Sequence, residues 1–269
     1  MTYPRTGHIS VNALGWNAQN KANIQKNIAT EVPVALVYNG ISHAVMMVTP
    51  LDLEDFALGF SISEGIIESP GQLLSLEIRA ENMGFILAMK ISEERFSGML
   101  HRKRNLTGIT GCSLCGIESL EEAVRPLPPV RGNTRIPFQS IYKTYDNIHK
   151  YQPEKISTGA VHAAAFADTE GNIKVIREDV GRHNALDKMI GAAIKENIDP
   201  QDGFIMITSR CSFEMVQKAV AYGAPVLAAI SAPTELAVRL AENNNLTLVA
   251  LARKGQFLVF THADRIIYQ

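Results

Sequence analysis

The order of apolar and polar positions gives the two halves of the chain different rhythms. In the first half, short β-branched runs alternate with turns. EVPVALVYNGISHAVMMV (31–48) predicts a hairpin about Asn39-Gly40, the dipeptide that best tolerates two positive φ angles in succession. After Pro50, PLDLEDFALGFSISEGII sets Leu53, Phe56, Ala57, Phe60 and Ile62 at helical spacing. LSLEIRAENMGFILAMKI (74–91) predicts a second hairpin, so the first domain reads as α+β. A short helix is expected from Glu118 to Val124. It is followed by VRPLPPVRGNTRIP (124–137), whose four prolines and one glycine predict a linker. The boundary placed there separates residues 1–130 from residues 131–269.

Beyond the linker the rhythm changes. A helix over FQSIYKTYDNIHKY precedes strands AVHAAAFAD and NIKVIRED, then helix RHNALDKMIGAAIKEN, strand GFIMITS and helix SFEMVQKAVAYG. Strand PVLAAIS, helix PTELAVRLAEN and strands LTLVALA and QFLVFTH complete the pattern. Strands alternating with amphipathic helices predict a largely parallel α/β/α sandwich, larger than the α+β domain before it.

Composition narrows the class of function. With 269 residues, 46% hydrophobic and 20% charged, the chain is long enough for two cores without covalent staples. A formal net charge of -1 argues against general nucleic-acid binding, which usually shows as a strongly basic domain. No run approaches the roughly 18 apolar residues of a membrane span. The opening MTYPRTGHISVNALGW lacks a charged-then-apolar signal pattern. The expectation is a cytoplasmic protein that engages neither nucleic acid nor membrane. Three cysteines cannot all pair within one chain, and their scarcity fits a reducing compartment that keeps thiols free.

Three strand-to-helix junctions of the second half carry unusual polar content: REDVGRHN (177–184), TSRCSFE (208–214) and SAPTELA (231–237). In parallel α/β sheets such junctions gather at the carboxyl edge, where helix N-termini offer unpaired amides to anions. Arg177, Arg182 and Arg210 would add phosphate donors, and Asp179 would accept from a base or ribose. Each residue also has an ordinary use. Asp179, Ser209, Ser212 and Thr234 are good helix caps, and Glu178 or Asp187 can pair with neighbouring arginines. His183, at a helix start beside Arg182, is the better functional histidine, whereas His162 lies in an apolar strand pattern that suits a core histidine. The element order resembles the cytidine-deaminase fold. That fold's metal chemistry requires a Glu two residues after the first ligand and a later Pro-Cys-x-x-Cys; His162-Ala163-Ala164 and Ser209-Arg210-Cys211 supply neither. A zinc site from Cys112, Cys115, Cys211 and a histidine has suitable ligand types but lacks a second paired motif. No metal site is assigned.

In TGITGCSLCG (107–116), Cys112 and Cys115 stand three positions apart among glycines that leave the sulfurs uncrowded. A helix starting close behind would favour a thiolate at either, the property that sulfur transfer needs. Disulfide exchange of the thioredoxin type fits the spacing, but Ser113-Leu114 offers no aromatic or proline between the sulfurs.

Taken together these motifs resemble the FdhD/NarQ family of formate dehydrogenase accessory sulfurtransferases. The likeness rests on residues 36–67, TGCSLCG (110–116), TGAVHAAAFAD (158–168), REDVGRHNALDKMIG (177–191), SRCSFEMVQKA (209–219) and PVLAAISAPTELAVRLAE (225–242). It implies that a cysteine desulfurase loads a persulfide onto the CxxC loop. The sulfur then passes to a molybdenum or tungsten bis(molybdopterin guanine dinucleotide) cofactor, bound transiently as substrate before insertion into formate dehydrogenase. The family's cysteine intermediate maps to Cys112, with Cys115 as second thiol, and its cofactor-contacting stretch maps to Leu251-Ala252-Arg253-Lys254-Gly255-Gln256. The candidate cofactor-binding set joins that stretch to Arg177, Asp179, Arg182, His183, Ser209 and Arg210. Two positions depart from the family pattern: Gln256 stands where a basic residue is often found, and Cys211 where alanine is usual. A two-fold homodimer, the commonest default, is expected, and it would place two nucleotide sites on one assembly for a cofactor with two guanine dinucleotides. The alternative reading is a guanine-nucleotide-binding chaperone that escorts the cofactor without transferring sulfur.

Overall fold

A computed structural model describes residues 6–16, 20–82, 84–105, 126–253 and 255–268. Cys112, Cys115, Lys254 and the helix expected over 118–124 lie outside them. The chain begins with an antiparallel ribbon, β1 (His8–Trp16) and β2 (Lys21–Ala29), that the hydrophobic pattern did not predict. β2 is almost wholly exposed and rich in asparagine, so it lacks the inward–outward alternation by which a strand is read. Its base is anchored through His8 Nδ1 to Glu154 at 2.8 Å and Asn27 Nδ2 donating to Ser157 Oγ at 2.8 Å.

The expected hairpin follows as β3 (Val32–Tyr38) and β4 (Ile41–Val48), turning through Asn39 at φ 46° and Gly40 at φ 84°. Val32, Val34, Leu36 and Tyr38 alternate inward and are fully buried against α1 (Leu53–Ser63). The second hairpin, β5 (Leu73–Glu81) and β6 (Gly84–Ile91), completes a four-stranded sheet in the order β4-β3-β6-β5. α2 (Glu93–Asn105) follows. The short strand β7 (Ile136–Pro137) then leads into α3 (Phe138–Ile148) and α4 (Pro153–Thr158).

The second sheet has six strands. β8 (His162–Asp168), β9 (Ile173–Asp179), β10 (Gly203–Ile207), β11 (Val226–Ala229), β12 (Thr247–Arg253) and β13 (Gln256–Val259) lie in the order β13-β12-β11-β10-β8-β9. Only β10, β11 and β12 run parallel; β8, β9 and β13 join antiparallel, so the sheet is mixed rather than largely parallel. The reason is connection length. A tight turn at Gly171 joins β8 to β9, and a parallel pairing needs a crossover of a dozen or more residues. Alternate residues serve the two faces. Phe166, Ile205, Ile207, Leu227 and Leu248 pack under α5 (Arg182–Lys195), α6 (Phe213–Tyr222) and α7 (Glu235–Asn243). Ala165, Phe204, Met206, Ala228 and Val249 face Ile141 and Ile148 of α3. A last strand, β14 (Ile266–Ile267), pairs with β7.

The two sheets meet where α1 crosses α5 at backbone distance. A Cβ on Gly59 would stand 1.7 Å from the Asp187 carbonyl oxygen, and one on Gly191 would stand 1.9 Å from that of Asp55. Glycine at both positions is what lets the helices touch. Charged pairs line this seam. Asp55 takes Arg177 Nε at 2.8 Å and Lys195 Nζ at 2.7 Å, while buried Asp187 takes Lys218 Nζ at 3.0 Å and the Ser63 hydroxyl at 2.5 Å. Burial opposes the Lys218 ammonium, but Asp187 and Glu64 outweigh it and hold its pKa above the ordinary lysine value.

Candidate functional site

Four loops converge at the carboxyl edge of β10, β11 and β12. β8 is antiparallel to β10 and so begins at this edge, with His162 cross-strand from Asp179 at the end of β9. Backbone bonds knit the loops. The Cys211 amide donates to the Ala232 carbonyl at 3.1 Å, the Thr234 amide to the Cys211 carbonyl at 3.0 Å, and the Leu251 amide to the Ser231 carbonyl at 3.3 Å. The Ala163 amide donates to Thr208 Oγ1 at 2.9 Å. Across the helix starts, His183 Nε2 lies 2.8 Å from Glu214 Oε2, tying the β9–α5 junction to α6.

The residues picked out by sequence divide between this edge and the seam. Asp179 is turned into the protein. It is fully buried, 2.7 Å from the equally buried Lys188, and accepts from the amides of Thr49 (3.0 Å) and Gly181 (2.8 Å) and from Asn184 Nδ2 (3.0 Å). Arg177 is likewise paired with Asp55 of α1, so in this structure both side chains are engaged within the chain, Arg177 across the seam and Asp179 beneath it. Among the described residues neither Glu178 nor Asp187 pairs with an arginine. Glu178 accepts the amides of Glu154 and Lys155 at 2.9 Å each, and Asp187 binds Lys218. Of the expected helix caps, Thr234 Oγ1 accepts from the Ala237 amide at 3.3 Å, while Ser209 turns its hydroxyl to the Arg210 carbonyl at 2.9 Å.

What remains at the edge is positive. Arg210 is exposed, and Arg182 is half-buried with its Nε buried and without a hydrogen-bond partner. His162 is held below the ordinary imidazole pKa first by burial, then by Lys155 and Arg182. Glu214 moves down, drawn first by the His183 ring 2.8 Å away against the opposing effect of burial, with Arg182 adding to it. Glu214 was not singled out in the sequence, where an acidic residue in the first turn of a helix reads as a partner for the helix dipole. His162, first read as a core histidine, is only partly buried and belongs to this cluster. Cys211 is buried, and burial pushes its thiol pKa up to about 12, which leaves it un-ionised and unreactive.

The family-derived stretch closes the same edge. Leu251 has φ 55°, uncommon for a branched side chain, and a register shift separates Ala250 from Arg253. Ala252 is buried, Arg253 pairs with Gln256 across the turn, Gly255 takes φ 85°, and Arg253, Gly255 and Gln256 are exposed. Beside Gly255 opens a cavity of about 450 Å³ walled by Phe138, Tyr142, Phe257 and Tyr268. The described residues contain no cluster of three or more His, Cys, Asp or Glu arranged to hold a metal ion. No described helix is long and apolar enough to cross a membrane.

Comparison with known proteins matches residues 29–267 to a family model described as the FdhD/NarQ family. The chain is 47% identical over 245 residues to a sulfur carrier protein FdhD of Xanthomonas euvesicatoria pv. vesicatoria (strain 85-10), covering 91% of this chain and 87% of that one. It is 48% identical over 242 residues to the protein of the same name from Cupriavidus necator, covering 90% and 84%. In fold it is similar to a crystal structure from Desulfotalea psychrophila described as a formate dehydrogenase accessory protein. The TM-score is 0.76 at 24% identity, over 97% of this chain and all of the other.

Proposed function

The chain belongs to the FdhD/NarQ family, and from that premise we propose that it is a sulfur carrier for formate dehydrogenase maturation. In this reading a cysteine desulfurase hands a persulfide sulfur to Cys112, and the sulfur passes to a molybdenum or tungsten bis(molybdopterin guanine dinucleotide) bound as substrate. One observation carries the reading. In a chain whose relatives are named sulfur carriers, Arg182, Arg210, His162, His183 and the 251–256 turn converge on one sheet edge built from helix starts. Helix N-termini and unpaired guanidinium groups favour phosphates. The aromatic cavity beside Gly255 has room for a purine, and the strained Leu251 fits a turn shaped for a ligand rather than for regular pairing.

The electron count assigns work to both thiols. A Cys112 thiolate takes the terminal sulfur of the desulfurase persulfide, which is formally zero-valent, whereas a metal-bound sulfide is two electrons richer. Attack by the Cys115 thiolate on Cys112 Sγ breaks the bond to the terminal sulfur. That sulfur leaves with the electron pair as sulfide, and the Cys112–Cys115 disulfide left behind is reopened by cellular thiols. The cytoplasm, where both thiols stay free, suits this cycle. A homodimer would present two nucleotide sites to a cofactor with two guanine dinucleotides. A deaminase-like ancestry of the α/β/α sandwich belongs to the same proposal, with the metal chemistry absent because its ligand motif is absent from the sequence.

The test is peptide mass spectrometry after incubation with a cysteine desulfurase and cysteine. The wild-type 112–115 peptide is expected to gain one sulfur atom, Cys112→Ala to gain none, and Cys115→Ser to load but deliver poorly without added reductant. No gain of sulfur in any form would favour the escort reading, in which the protein holds the nucleotide and transfers nothing, whereas loading that survives Cys112→Ala would move the entry thiol away from Cys112.

A further inference from the structure

At the opposite end of β12 from the 251–256 turn, a polar cavity of about 130 Å³ is lined by Gly132, Asn133, Arg135, Asn245, Asp264 and Arg265. Arg265 is the unusual member, at 5% exposure. Among the described residues no carboxylate stands at salt-bridge distance from it. Among the described residues its guanidinium makes one hydrogen bond, a long one from Nη1 to Thr247 Oγ1 at 3.3 Å, and that hydroxyl already donates to the His262 carbonyl at 2.8 Å. Burial draws the Arg265 pKa down, with Asp264 opposing it, as expected of a guanidinium that the fold desolvates without supplying a counter-charge. Burying a charge in this way costs several kcal/mol unless a partner is provided. A second guanidinium, Arg135, is held over the same cavity by donating Nη1 to the Asp264 carbonyl at 3.0 Å. Two half-buried or exposed amide side chains, Asn245 and Asn133, complete the wall, with Asn245 Nδ2 turned to the Val130 carbonyl at 2.8 Å.

We propose that this cavity is a binding site for a phosphate group, gripped by Arg265 and Arg135. Two arginines against one aspartate leave a single net positive charge on the wall, and the guanidinium fork matches a tetrahedral oxyanion two oxygens at a time. The volume admits one such group. Asp264 sharpens the choice. A fully ionised anion meets its carboxylate with no proton to share, whereas phosphate at neutral pH keeps a hydroxyl that can donate, which favours phosphate over sulfate. The site is separate from the proposed cofactor edge. Thr247 opens β12 and Arg253 closes it, a span of about 20 Å at strand rise, so one phosphate cannot serve both.

Isothermal titration of the full chain in phosphate-free buffer tests the assignment, with inorganic phosphate, glycerol phosphate and sulfate as probes. Saturable binding of inorganic phosphate is expected, with sulfate about tenfold weaker and Arg135→Gln costing about tenfold. Arg135 is exposed, so its variant should fold even if Arg265→Gln does not. Tighter binding of inorganic phosphate than of glycerol phosphate identifies a free anion; the reverse identifies the phosphate end of a larger molecule. Absence of saturable phosphate binding up to tens of millimolar, unchanged affinity in Arg135→Gln, or sulfate binding as tightly as phosphate would each overturn it. Sulfur loading on Cys112 should be indifferent to Arg135→Gln, so the two proposals fail separately.

Discussion

The seam between the sheets and the carboxyl edge of the second sheet draw on one stretch, REDVGRHNALDK, and use its charges in opposite ways. At the seam every charge is answered: Asp179 by Lys188, Arg177 by Asp55 and Asp187 by Lys218. At the edge, Arg182 and Arg210 are left over, and Glu214 is shared with His183. The contrast teaches that a dense polar motif need not be one site. Residues only two to five positions apart point to different tasks because a strand ends at Asp179 and a helix starts at Arg182, which turns successive side chains toward different neighbours.

If that division is right, Lys188→Ala should do the most damage to folding. It strands Asp179 as an unpaired buried charge, and a loss of about 3–5 kcal/mol is expected by denaturant titration. Gly59→Ala comes next. Its methyl group meets the Asp187 carbonyl, not a side chain that can move aside, so α1 and α5 must separate, at a cost of roughly 1–3 kcal/mol in the same titration. At the edge the expectation reverses. Arg210→Ala should leave stability within about 0.5 kcal/mol while weakening guanosine diphosphate binding about tenfold by calorimetry. An Arg210 variant as unstable as Lys188→Ala would erase the distinction.

The smallest effect is in pH. Because His162 is held below its ordinary value of about 6.5, the folded chain binds fewer protons there than the unfolded chain does. Stability therefore rises with pH through the window below that value and is lost as pH falls through it. His162→Gln should flatten this part of the curve. An unchanged slope would mean that His162 does not titrate differently in the folded protein.

Much of this arrangement was legible beforehand. The Asn39-Gly40 hairpin, the buried face of α1 and the strand–helix alternation after residue 137 follow from turn chemistry and period, which are local. The gathering of the junctions was also legible, since a parallel centre of β10, β11 and β12 places their ends together. The partners of charged residues were not. Asp179 and Arg177 read as ligand groups because nothing in the sequence says that Lys188 will be buried beside the one and Asp55 will cross to the other. The β1–β2 ribbon escaped for the opposite reason: it has little core to face, and so no pattern to read.

The crossing of α1 over α5 also bears on how the protein is made. Asp55 and Arg177 are 122 positions apart, so during synthesis the first sheet and α1 leave the ribosome well before their partner exists. Until α5 follows, α1 presents an apolar and acidic flank, with Gly59 at its centre, to whatever is nearby. Contacts so distant in sequence form slowly and late. The nascent first half should therefore be the segment that aggregates when translation is truncated before residue 182.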